Sequence, residues 1–259
     1  MRMTRVPILS YHALDDSGAV TATRPDQFTR QMEHLARAGY QALTVSEWIE
    51  GLRPLRPVVI TFDDGFRSVA EVARPVLERL GFRATVYVTA QYCGGRNDWP
   101  TQPAAVPRAP LLAWDEVRAL IGAGLEIGSH TLTHPPLTRL SPPDAEREIA
   151  RSKQIIENET GQPVRSFAYP YGDYNDRVRS LVAAHYQSAC GTRLGLVGPD
   201  SDPLALERVD AYYIPSPRMA ARLGSRWMGP YLWARQMLRD LRGTGRYYRP
   251  AGRRMKDEG

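Results

Sequence analysis

Residues Val58-Val59-Ile60-Thr61-Phe62-Asp63-Asp64-Gly65 decide how the rest of the chain is read. The first five are β-branched or aromatic, the composition of a buried strand. The run then stops at two adjacent carboxylates and a glycine, which is free to turn sharply. Runs of the same kind recur on either side, and residues 6–11, 84–88, 125–128 and 166–169 read as further strands.

Helical patterns lie between these runs. Phe28, Met32 and Leu35 have helical spacing within residues 25–38, and Gly39 is placed to end that helix. Residues 69–80 stop the same way at Gly81. Ser141 and Pro142 form an N-cap and first turn for a long charged helix that runs to about Thr160 and is closed by Gly161. Strands alternating with helices predict parallel βαβ units, in either a doubly wound sheet or a barrel. The chemically unusual residues follow the C-terminal ends of successive strands, where barrels carry their sites. The expected fold is therefore α/β, an irregular (β/α)7-8 barrel of TIM-like form in a single domain. Residues 100–110, rich in proline, read as an irregular loop.

The chain has 259 residues, 42% of them hydrophobic, enough for one sizeable core. Two cysteines, Cys93 and Cys190, are too few for a disulfide framework and too far apart for a zinc knuckle. The net charge of +6 is uneven: residues 216–259 hold eleven Lys/Arg against three Asp/Glu, a net +8, which leaves −2 for residues 1–215. The body thus lacks the positive surface that nucleic-acid binding requires. No run of 18 apolar residues exists to span a membrane. Pro7, Ser10 and His12 interrupt the apolar stretch at the N-terminus, so a signal peptide is not expected. The expected location is the cytoplasm or the cytoplasmic membrane face.

Three clusters carry the chemistry. Asp63-Asp64 follows the strand of residues 58–62; alone it reads more readily as a strand-ending turn than as a site. Ser129-His130-Thr131-Leu132-Thr133-His134 puts two histidines four apart just after the strand of residues 125–128. They can converge on one metal or remain hydrogen-bonded loop histidines. Taken together, one carboxylate and two imidazoles make a three-ligand site with a position open for water, beside a second carboxylate suited to take a proton. The third cluster, Phe167-Ala168-Tyr169-Pro170-Tyr171-Gly172-Asp173, is a turn or the aromatic wall of a sugar groove, and a backbone N–H near Tyr171 could meet an oxyanion.

In this order, Thr61-Phe62-Asp63-Asp64-Gly65, Ser129 to His134 and Phe167 to Gly172 resemble the NodB-homology domain of polysaccharide deacetylases (carbohydrate esterase family 4). Pro7-Ile8-Leu9-Ser10-Tyr11-His12 is similar to the poly-N-acetylglucosamine deacetylase subgroup. The resemblance covers roughly residues 6–210. It implies that Asp63 is the catalytic base, that Asp64, His130 and His134 bind a divalent metal, commonly Zn2+, and that Tyr171, with Pro170 beside it, lines the oxyanion and substrate site. The implied activity is metal-dependent removal of N-acetyl groups from an N-acetylglucosamine-containing glycan or glycolipid.

Two departures from the family pattern matter. Ala168 stands where many members carry an arginine that orients the catalytic aspartate, and Arg208 is the candidate to replace it. No histidine follows His185, so the late histidine acid is missing too. His12, at the end of the first strand, is the candidate acid; the alternative is a packed, hydrogen-bonded histidine. His34, inside a charged helix, and His185, near a helix end, read as structural or solvated.

The expected organisation is a barrel over residues 1–215 and a basic, aromatic-containing helix and tail over 216–259. Trp227, Met228, Tyr231, Leu232, Trp233, Met237, Leu238 and Leu241 interleave with Arg226, Arg235, Arg239 and Arg242. This fits a helix packed on the barrel, or peripheral membrane contact that would hold the enzyme near a lipid-linked glycan. Residues 252–259 read as disordered. Two rival functions remain: a hydrolase of another amide or an O-acetyl ester on the same scaffold, and a catalytically silent glycan-binding module.

Overall fold

A computed structural model of the chain describes residues 5–214, 216–220 and 222–241. Residues 1–4, Arg242 and residues 252–259 lie outside the described part.

The chain builds β1 (Ile8–Tyr11), a short parallel pair β2 (Ala13–Leu14) and β3 (Ala22–Thr23), α1 (Pro25–Arg37), β4 (Gln41–Leu43), α2 (Val45–Ile49) and β5 (Pro57–Phe62). A π turn at Val69–Ala73 leads into α3 (Arg74–Leu80), followed by β6 (Thr85–Val88), α4 (Trp114–Gly122), β7 (Glu126–Ser129) and α5 (Pro142–Thr160). The remaining elements are β8 (Ser166–Ala168), α6 (Asp176–His185), β9 (Ser188–Leu194), β10 (Leu206–Asp210), α7 (Pro217–Ala220) and α8 (Met228–Leu241).

Strands β1, β10, β9, β8, β7, β6 and β5 pair in that order, and β5 returns to β1 with Ile8 opposite Val59 and Tyr11 opposite Phe62. All these pairings are parallel, so the expected barrel forms and closes on seven strands. β4 pairs with the first half of β5 and β6 with its second half, so β4 is an addition outside the ring.

Every residue of β5 is buried, as a parallel strand covered on both faces requires. The expected helix ends also form. Ser141 accepts the Asp144 N–H, and Gly161 closes α5 in the left-handed region at φ +67°. Gly81 ends α3 at φ +64°. The strands at 6–11 and 125–128 shift by one or two residues, with Val6 reduced to an isolated bridge to Val197.

α8 packs outside β9. Leu232 is buried, the Leu194 N–H donates to Gln236 Oε1 at 2.9 Å, and Arg239 donates to the Thr192 carbonyl at 3.0 Å. Among the described residues, no helix is long and apolar enough to cross a membrane.

Candidate active site

Parallel strands end together at one rim of a barrel, which gathers the residues that follow them. His12 follows β1, Asp63 and Asp64 follow β5, His130 follows β7, and Pro170 and Tyr171 follow β8. The three sequence clusters therefore meet at one place. Among the described residues, the non-glycine residues with φ in the left-handed region are Asp64 (68°), Thr131 (69°), His134 (62°) and Tyr171 (57°). All four belong to these clusters, so strained backbone is concentrated where the side chains must converge. Gly65 shares the conformation at φ +73°, and a Cβ there would meet Val88 at 3.1 Å.

Asp64 Oδ1 lies 3.4 Å from His130 Nε2 and 3.3 Å from His134 Nε2, and the two imidazole nitrogens are 3.2 Å apart. These three donors can hold a metal ion. The far nitrogen of each ring is fixed. His130 Nδ1–H donates to the Ala168 carbonyl at 2.8 Å, which fixes the ring with Nε2 facing Asp64. His134 Nδ1 meets the Tyr171 hydroxyl at 3.1 Å, and that hydroxyl's single proton faces both the Thr101 backbone carbonyl at 3.0 Å and Thr101 Oγ1 at 2.8 Å. Trp99 stacks on the His134 ring with centroids 4.3 Å apart.

Thr101 lies in the proline-rich loop of residues 100–110, to which sequence reasoning assigned no role in the site, and Trp99 directly precedes it. Asn97, fully buried, shapes it by donating to the Pro107 carbonyl and accepting the Ala109 N–H. Glu148 was missed as well. Its buried carboxylate accepts the Leu132 and Thr133 N–H groups at 3.0 and 2.8 Å and the Thr133 hydroxyl at 2.7 Å, fixing the loop between the two histidines. The signal was present: Glu148 falls in register with Ala145, Ile149, Ser152 and Ile156 on the buried face of α5. His34 lies within α1, and His185 pairs with Glu146 at the end of α6, so neither joins the site.

Asp63 is 2% exposed and held by Arg208, whose Nη1 and Nη2 each donate to one carboxylate oxygen at 2.7 Å. Arg208 Nε donates to the Gly191 carbonyl and its Nη1 to Thr61 Oγ1, so the guanidinium is locked from below. His12 Nε2 lies 3.8 Å from Asp63 Oδ2, and its side chain is about a quarter exposed. Burial pushes the Asp63 carboxyl up, but the charge and hydrogen bonds of Arg208, with smaller contributions from His12 and His130, hold it below the usual carboxylate value. Burial also acts on Asp64, and hydrogen bonds from His130 and His134 bring it well below that value. The imidazoles diverge. Burial opposes charge on both, yet contacts with Asp64 and Asp63 raise His130, while His134 is left lowered.

The family model described as polysaccharide deacetylase matches residues 52–188. YxkH of Bacillus subtilis (strain 168), assigned by name to the polysaccharide deacetylases, is 28% identical over 211 residues, 79% of this chain and 71% of that one. The poly-β-1,6-N-acetyl-D-glucosamine N-deacetylase of Staphylococcus epidermidis is 25% identical over 197 residues, 71% of this chain and 65% of that one. The Streptococcus pyogenes deacetylase PplD, solved with acetate, superposes with a TM-score of 0.74 at 24% identity, covering 86% of this chain and 99% of that one, a likeness of fold.

Proposed function

The chain belongs to the polysaccharide deacetylase family, and from that membership and the site's geometry we propose that it hydrolyses the acetamide of N-acetylglucosamine residues in a glycan or lipid-linked glycan. The observation that carries this reading is a buried carboxylate, Asp63, clamped by Arg208 beside the cluster Asp64, His130 and His134.

The metal proposed for that cluster is Zn2+. One carboxylate and two imidazoles are a donor set that suits zinc. When bound, the ion supplies Lewis acidity, lowering the pKa of water toward about 7 and polarising the acetamide carbonyl, which lets a carboxylate of depressed pKa serve as base.

Asp63 accepts the proton of the attacking water, and Arg208 keeps both its oxygens in place while it does so. The new C–O bond forms as the carbonyl oxygen gains charge, for which the backbone N–H of Tyr171, after Pro170 in the strained turn, is the proposed donor. His12, within 3.8 Å of Asp63 and open to solvent, is the proposed acid that protonates the departing nitrogen as the C–N bond breaks. Acetate and a free amine leave.

The Asp63–Arg208 clamp also argues against a silent glycan-binding module, because binding a metal for shape alone needs neither group. Product analysis on N-acetylglucosamine oligomers and O-acetylated glycans tests the proposal. One new primary amine per acetate supports N-deacetylation; acetate from the O-acetylated glycans alone, with no amine, would replace it with ester hydrolysis.

A further inference from the structure

α8 uses one side to hold the barrel. Met228, Leu232 and Gln236 are buried, Arg239 reaches Thr192, and Arg235 lies over the Tyr213 ring at 4.9 Å. The opposite side faces solvent and is apolar. Trp227, at the helix's N-terminal edge, is 68% exposed, Trp233 64%, Met237 40%, Leu238 43% and Leu241 82%. At 100° per residue these five, with exposed Pro230 and Ala234, fall in one arc of about 140° directly away from Met228, Leu232 and Gln236. Exposed apolar side chains scattered singly need no explanation; five large ones on one helix face form a docking surface.

Charge identifies what it meets. Residues 216–259 carry a net +8 against −2 for residues 1–215, and Arg226 flanks the arc with its guanidinium 5.4 Å from the Trp227 ring. A second copy of the chain docked on this face would bring two such basic segments together, which opposes dimerisation. An anionic surface is complementary. We propose that the outward face of α8 docks on an anionic lipid bilayer, with Trp227 and Trp233 at headgroup level, Met237, Leu238 and Leu241 at the acyl boundary, and Arg226 on lipid phosphates.

The experiment is co-sedimentation of the whole chain with vesicles of phosphatidylglycerol and phosphatidylcholine, against phosphatidylcholine alone, with tryptophan quenching by brominated acyl chains. The expected result is binding to the anionic vesicles with quenching. The triple variant Trp233→Ser, Met237→Ser, Leu241→Ser should weaken binding roughly tenfold or more, because it removes buried apolar area. Met237 and Leu241 face solvent, whereas Trp233 also lines the cleft between α8 and the barrel beside Leu194 and Glu207. Thermal unfolding is therefore followed in parallel, and the double variant Met237→Ser, Leu241→Ser, which spares that cleft, should weaken binding in the same direction. Leu55→Ser, which removes an exposed apolar side chain outside this helix, should bind as the parent does. Failure to bind anionic vesicles would overturn the proposal. So would a triple variant that binds undiminished, or a concentration-dependent dimer abolished by the triple variant.

Discussion

Arg208 on β10 closes a bidentate pair on Asp63 at the end of β5, with both N–H···O distances at 2.7 Å and both side chains buried. An arginine thus reaches the aspartate from a strand other than β8, where Ala168 occupies the expected position. Removing one member of a buried pair leaves the other charge uncompensated, at a cost of about 3–5 kcal/mol. Arg208→Met is expected to lower the melting temperature and kcat together. Arg208→Lys keeps the charge but loses the fork, and is expected to lower kcat with less loss of stability.

The same pair sets a pH dependence. Asp63 has a folded pKa below its ordinary value of 3.8, so its contribution to stability is complete above that value and is lost as pH falls through the folded pKa. In Arg208→Met burial is no longer opposed by the guanidinium, and the acid limb of the kcat/KM profile is expected to move toward neutral pH. An unmoved limb would show that Asp63 is not the titrating base.

Tyr171→Phe removes the hydroxyl partner of His134 Nδ1 without changing the ring's bulk. Partners of this kind are worth roughly 10- to 100-fold in metal affinity. Zinc competition against a chromophoric chelator is expected to show such a loss, with a smaller one in Thr101→Val, which removes only one of the contacts to the hydroxyl.

His12→Ala is expected to reduce kcat by about 10²- to 10⁴-fold, because the proton donor is gone. Full activity across the pH range would return His12 to a packing role.

Both thiols should react poorly. Burial pushes Cys190, which lies 3.3 Å from the Tyr87 hydroxyl, up to about 11, and Cys93 up to about 12. At pH 8 the thiolate of Cys190 is on the order of one part in a thousand. Thiol titration is expected to miss the buried Cys190 in the folded chain, to react no more than slowly with the half-buried Cys93, and to find both after denaturation.

Much of this was legible because the strands feeding the site are apolar runs that stop at chemically unusual residues. β9 was not, and its sequence shows why. Ser188-Ala189-Cys190-Gly191-Thr192-Arg193-Leu194 is made mostly of small residues and lacks the β-branched run that marks the other strands. In the closed barrel that smallness has a use, since the Gly191 carbonyl receives Arg208 Nε at 2.7 Å. β10, Leu206-Glu207-Arg208-Val209-Asp210, has three charged residues among five and so offers no apolar run to read, although Arg208 within it is buried. Trp99 and Thr101 escaped for another reason. A proline-rich loop has no period to read, and only the folded chain brings it against His134.

The most direct measurement is acetate release from N-acetylglucosamine oligomers by the zinc-loaded protein, the chelated protein and Asp63→Asn, with amine formation followed in parallel. The account predicts equal acetate and amine from the loaded protein, and near-complete loss of both on chelation and in Asp63→Asn while its zinc affinity persists. Undiminished turnover by Asp63→Asn, or no acetate from any acetylated glycan by a protein that holds zinc tightly, would contradict it.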